Sequence, residues 1–190
     1  MSEIRKVRSE ELKAVSGELK CGDKILLSGV VYTARDAAHK RFNALLDQGK
    51  ELPIPLKDAV IYYAGPTPAP EGKPIGSCGP TTSGRMDRFA PRLLDLGLGG
   101  MIGKGERSQE VRDAVIRNGA VYLCAIGGAG ALACNCIKSC EVVAFEELGC
   151  ESVKNFTLRI FLLLWLTIAT EGIFSAMAEQ NTAEYNIKVA

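Results

Sequence analysis

Residues 25–46 read ILLSGVVYTARDAAHKRFNALL, and this stretch decides the fold class. Its first nine residues are apolar, rich in β-branched side chains, and follow the turn signal Cys21-Gly22-Asp23. They predict a buried strand. From Asp36 the period changes. Ala38, Phe42, Leu45 and Leu46 fall at helical spacing until Gly49, a residue suited to ending a helix. A strand running straight into a helix is the repeating unit of α/β domains.

The unit recurs along the chain. Residues 59–63, 99–103, 120–126 and 141–145 predict strands; residues 109–117, closed by Asn118-Gly119, and the small-residue stretch 130–137 predict helices. Residues 65–80 (GPTPAPEGKPIGSCGP) hold five of the eight prolines and predict a loop. Thr82 or Ser83 is placed to cap a helix towards Leu96, with Pro91 as a break or restart. The expectation is one α/β domain over residues 1–178 with a mixed, largely parallel sheet, and a polar tail over 179–190.

Composition narrows the function classes. Of the 190 residues 47% are hydrophobic, and 23 Lys+Arg balance 22 Asp+Glu. No basic stripe interleaved with aromatics suggests nucleic acid. The longest apolar run, residues 160–170, falls short of the roughly 20 needed to span a bilayer, so no membrane segment is expected. That run suits a buried strand or a core helix. Residues 1–8 lack a secretory h-region, so the odd total of seven cysteines reads as reduced thiols in the cytoplasm.

Four polar clusters fall at strand-to-helix junctions, where open α/β sheets bind ligands. In Thr33-Ala34-Arg35-Asp36-Ala37-Ala38-His39-Lys40-Arg41, Arg35 and His39 stand one turn apart. Arg35 offers a carboxylate grip and His39, the sole histidine, titrates near neutrality; a solvated basic helix face is the competing reading. In Gly79-Pro80-Thr81-Thr82-Ser83-Gly84-Arg85-Met86-Asp87, three hydroxyls and Arg85 crowd an expected helix start. A simple cap explains fewer of them, so an anion site is favoured. Ile102-Gly103-Lys104-Gly105 presents one cation on a tight loop without the rest of a P-loop. Ile126-Gly127-Gly128-Ala129-Gly130 lacks dinucleotide spacing and suits helix–sheet packing. Cys134, Cys136 and Cys140 have no zinc spacing and read as buried thiols; a helix through residue 140 would put Cys136 and Cys140 on one face.

Together with Tyr63-Ala64-Gly65-Pro66 and Met101-Ile102-Gly103-Lys104-Gly105, these blocks resemble the β component of class I fumarases and L-tartrate dehydratases from about residue 4 to 150. The resemblance implies a swivelling β/β/α three-layer domain. It implies a 4Fe-4S cluster held by an α subunit, so that this chain carries no metal ligand. It further implies reversible hydration of fumarate to malate, with Arg35, Arg85 and Lys104 binding a dicarboxylate, Thr81 at the substrate moving a proton, and His39 as the active-site histidine. L-Tartrate dehydration, a non-catalytic dicarboxylate-binding module and a homodimer of the isolated chain stay open. The family's Asp-Phe-Pro triplet and Asp-x-x-Gly-Asn turn are replaced here at residues 159–163 and 169–173, leaving strand and helix as alternatives there.

Overall fold

The computed structural model describes residues 4–125 and 128–165. The expected tail over 179–190, the boundary at 178, and Ile126 and Gly127 of the fourth cluster lie outside them. Seven strands form one sheet: β1 (Ile4–Arg8), β2 (Lys24–Thr33), β3 (Val60–Tyr62), β4 (Gly100–Gly103), β5 (Val121–Cys124), β6 (Ile137–Ala144) and β7 (Val153–Trp165). The helices are α1 (Asp36–Asp47), α2 (Ala90–Asp95), α3 (Gln109–Asn118) and α4 (Gly130–Asn135).

β1 to β5 pair in parallel in chain order, and β7 runs antiparallel to β2, β5 and β6. Because β7 touches both β2 and β5, the ladder closes on itself. Alternation along the strands sorts the side chains into two cores. Val60, Tyr62, Ile102, Val121 and Leu123 meet Ile25, Leu27, Phe156 and Leu158 between the sheet layers. Ile61, Tyr63, Met101 and Tyr122 face the other way, onto Ala38 and Phe42 of α1, Leu93 of α2 and Val111 of α3. Three layers result, two of strand and one of helix, as expected. α3 ends where foreseen: Gly119 adopts the left-handed conformation (φ 57°) that an L side chain resists. Among the described residues no helix is long and apolar enough to cross a membrane.

Two expectations need correction, and one open alternative is decided in part. The helix expected from Thr82 or Ser83 is a 3₁₀ turn, Ser83–Met86, followed by a separate α2 with Pro91 in its first turn. Pro91 lacks an N–H and would clash with the carbonyl four residues back, so the helix restarts at Ala90. The strand expected over 141–145 begins at Ile137, which puts Cys140 on β6 rather than on a helix with Cys136. The strand-or-helix alternative over residues 159–163 resolves as strand β7, paired to β2 from Thr33↔Lys154 to Lys24↔Leu164, while residues 169–173 lie outside the described residues. The long free flank of β2 supplies the ladder that a local reading of the chain cannot see.

Candidate active site

β2, β3 and β4 are parallel neighbours, so their C-terminal ends lie side by side. Arg35 stands two residues past the end of β2, as the extended N-cap residue of α1. Lys104 directly follows β4. Between them the proline-rich loop returns to the sheet through an Ala64↔Pro80 bridge. Thr81 N–H donates to the Tyr63 carbonyl (2.6 Å), and the Thr81 carbonyl accepts from Lys104 N–H (3.3 Å). Thr81 is therefore stitched between the ends of β3 and β4, with part of its surface open. From the next turn Arg85 reaches back to pair with Asp36, the residue after Arg35. One ring of backbone and side-chain links thus joins Arg35, Thr81, Arg85 and Lys104.

The cations differ in setting. Arg85 is half exposed. Lys104 is exposed and enters no ion pair among the described residues. Arg35 is more enclosed, with Nη2 3.3 Å from Glu151 Oε1. Its guanidinium passes Gly65, where an added Cβ would stand 2.9 Å from Arg35 Nη1. The hydroxyls do not crown a helix start as foreseen. Ser83 is buried, with Oγ 2.8 Å from the Tyr122 hydroxyl, and Thr82 is exposed beside Lys104.

His39 departs furthest from expectation. It is wholly buried, with ring centroids 5.4 Å from Tyr63, 5.9 Å from Phe89 and 6.0 Å from Phe42. Its Nδ1 lies 2.9 Å from the Arg35 carbonyl, an acceptor, so Nδ1 carries the proton and the ring is neutral. Burial pulls its pKa to about 4, helped by the Arg107 charge and opposed by the Arg35 carbonyl and Asp36. The near-neutral titration read from the sequence is therefore corrected: no charged form survives at physiological pH.

A stability prediction follows from the sign of that shift. The unfolded chain takes up this proton near pH 6.5 and the folded chain only near 4, so folding loses stability as pH falls through that window. The loss amounts to about 3 kcal/mol once both forms are protonated. His39→Leu is expected to flatten this component in urea unfolding series at pH 7 and pH 4.5. An unchanged pH slope would count against it.

Beneath the ring lies a buried polar scaffold that sequence reading missed. The Arg107 side chain is fully enclosed; its Nε donates to Asp87 Oδ1 (2.7 Å), and its guanidinium lies over Tyr122 (4.9 Å) and Tyr63 (5.4 Å). Asp87 Oδ2 also accepts Ser108 N–H (2.6 Å), while the Tyr122 hydroxyl donates to the Gly105 carbonyl (2.8 Å). The loops carrying Arg85 and Lys104 are thus fastened to one node. Glu151 was missed as well. Asp36 and Asp87 stand inside the quoted motifs, but no local signal marks Arg107 or Glu151.

All seven cysteines are free thiols. Cys134 is buried, while Cys136 and Cys140 are partly so, and burial pushes the thiols of these last two upward. Among the described residues no three His, Cys, Asp or Glu side chains are grouped to hold a metal ion.

Comparison with known proteins matches residues 2–173 to the Fumarase C-terminus family. The anaerobic class I fumarate hydratase of Escherichia coli K12 is 46% identical over 155 residues, covering 80% of this chain and 28% of that protein. Fumarate hydratase 2 of Leishmania major is 44% identical, covering 74% of this chain and 25% of its own length. The putative L(+)-tartrate dehydratase subunit beta of Methanocaldococcus jannaschii is 38% identical over 136 residues, 70% of each chain. The chain therefore spans little more than a quarter of the fumarate hydratases it matches and most of the tartrate dehydratase subunit. By its sequence and its three-layer sheet, this chain belongs to the Fumarase C-terminus family of the class I fumarases and tartrate dehydratases.

Proposed function

We propose that this chain is the β subunit of a hydro-lyase that reversibly hydrates fumarate to malate, and that it supplies the carboxylate-binding half of a site shared with an α subunit. The observation that carries this reading is the set of links that gathers Arg35, Arg85, Lys104 and Thr81 beyond the ends of three adjacent parallel strands. A dicarboxylate brings two negative charges, and guanidinium forks with an ammonium match them. Thr81 Oγ1 would stand at the carbon beside one carboxylate and move its proton. His39, neutral and buried, would act only through the Arg35 backbone that it holds.

The 4Fe-4S cluster of the family is assigned to the α subunit, and no step here is routed through it. A reducing compartment, the cytoplasm, suits the free thiols. L-Tartrate is the second reading, favoured by the relative that matches this chain over most of its length.

The test is anaerobic reconstitution with the α subunit. The assembled pair is expected to hydrate fumarate, followed by loss of its ultraviolet absorbance, and the isolated chain to be inactive. Turnover of tartrate but not fumarate would move the assignment to the second reading. Hydration by the isolated chain, or a complete pair inert to every dicarboxylate, would overturn the proposal.

A further inference from the structure

Arg35 depends on a residue from the far end of the chain. Glu151 lies at the end of the connection between β6 and β7, Glu146–Glu151, two short helical turns broken by a kink at Gly149 (φ 59°, ψ −115°). Its Oε1 lies 3.3 Å from Arg35 Nη2, and its Oε2 accepts the N–H of Ala37 (3.2 Å), 114 residues away in sequence. The carboxylate thus straddles the start of α1, one oxygen on the guanidinium and one on a backbone donor. No other acid among the described residues pairs with Arg35, and its Nε is buried without an acceptor. Gly65 packs closely against the same side chain, since a Cβ there would crowd both Arg35 Nη1 and the Cys150 carbonyl.

The turn that carries Glu151 is itself fixed. Lys154, on β7, is buried with no carboxylate partner among the described residues. Its ammonium donates to Ser152 Oγ (2.6 Å) and to the carbonyls of Gly149 (2.9 Å), Cys150 (3.3 Å) and Ser152 (3.4 Å). Thr33, the last residue of β2, bonds both sides of the same segment, donating to the Ser152 carbonyl (3.3 Å) and accepting Lys154 N–H (3.1 Å). A buried ammonium gathering backbone oxygens is an expensive way to shape one turn unless the shape matters.

We propose that Glu151 is a positioning residue for dicarboxylate binding. It holds the Arg35 guanidinium in its binding pose before substrate arrives, and Lys154 holds the turn that delivers it. The proposal rests on Arg35 being a carboxylate ligand. An arginine left to sample its rotamers must be ordered at the moment of binding, and that cost appears in affinity. Both contacts require an acceptor oxygen on residue 151, and glutamine offers only one.

The test is steady-state kinetics of the α/β enzyme carrying Glu151→Gln, with malate or fumarate as substrate. KM is expected to rise about tenfold with kcat held within about twofold, the pattern of lost uniform binding. Glu147→Gln removes a pair with Arg41 from the same β6–β7 connection (3.4 Å, both side chains more than half exposed) and is expected to leave both constants unchanged. Glu151→Asp keeps the charge but loses a methylene of reach. It is expected to raise KM by a smaller factor, and it replaces the glutamine variant if that fails to assemble. A KM within twofold of wild type, or a fall in kcat alone, overturns the proposal. Arg35→Ala is measured alongside: if it raises KM while Glu151→Gln does not, Glu151 alone is misassigned. If Arg35→Ala also leaves KM unmoved, the carboxylate-binding reading itself fails.

Discussion

Replacing Arg85 by alanine is expected to lower kcat/KM of the proposed α/β enzyme by about a thousandfold or more while leaving the fold almost untouched. A guanidinium gripping a carboxylate makes charge-assisted bonds of about 1.5–3 kcal/mol each, so two of them carry a factor of that size. The variant has a second cost. Arg85 is paired with Asp36, whose side chain is largely enclosed beside Arg35. Without Arg85, the Asp36 carboxylate faces the incoming anion uncompensated. The stability side is modest because the Arg85 side chain is 51% exposed, and ion pairs at such positions contribute about 0–1 kcal/mol. Arg85→Lys should recover only part of the activity, since an ammonium restores the charge but not the planar fork. Turnover within tenfold of wild type at ordinary substrate concentrations would sink the role given to Arg85.

What could be read from the sequence divides by range. Residues 25–46 announced β2 and α1 because period and turn residues are local. The end of α3 was legible for the same reason: Asn118-Gly119 is a local stop. The four residues now linked at the strand ends were legible as types, cations and a hydroxyl in polar blocks between strand and helix, although their mutual links were not. His39 was misread because its one-turn spacing from Arg35 suggested a shared face. The structure instead turns its ring into the layer of Tyr63 and Phe89. β7 was ambiguous since an apolar run fits strand or helix until its partner is known, and that partner, β2, lies more than a hundred residues earlier. Arg107 and Glu151 were invisible on the same ground. Their value comes from Asp87, Tyr63, Tyr122 and Arg35, brought to them only by the closed ladder.

Arg107→Ala should be among the most destabilising substitutions in the chain, costing about 3–5 kcal/mol in urea unfolding. The guanidinium is fully enclosed, so its removal leaves an internal void rather than a solvated surface. Asp87, only 14% exposed, would keep Ser108 N–H but lose its counter-charge, and an uncompensated buried carboxylate accounts for most of that cost. The faces of Tyr63 and Tyr122 would line the void. The charge argument separates from the packing argument in a double variant. Adding Asp87→Asn to Arg107→Ala removes the orphaned charge and should recover about 1–3 kcal/mol, giving a coupling energy of that size between the two sites. Arg107→Lys keeps the charge yet cannot reach Asp87 and both rings with one planar group, so it should fall between wild type and alanine. An alanine variant within about 1 kcal/mol of wild type would mean that the node is not what fastens the two loops. Lys104 and Arg85 would then owe their placement to the backbone bridges at Thr81 and Thr82 alone.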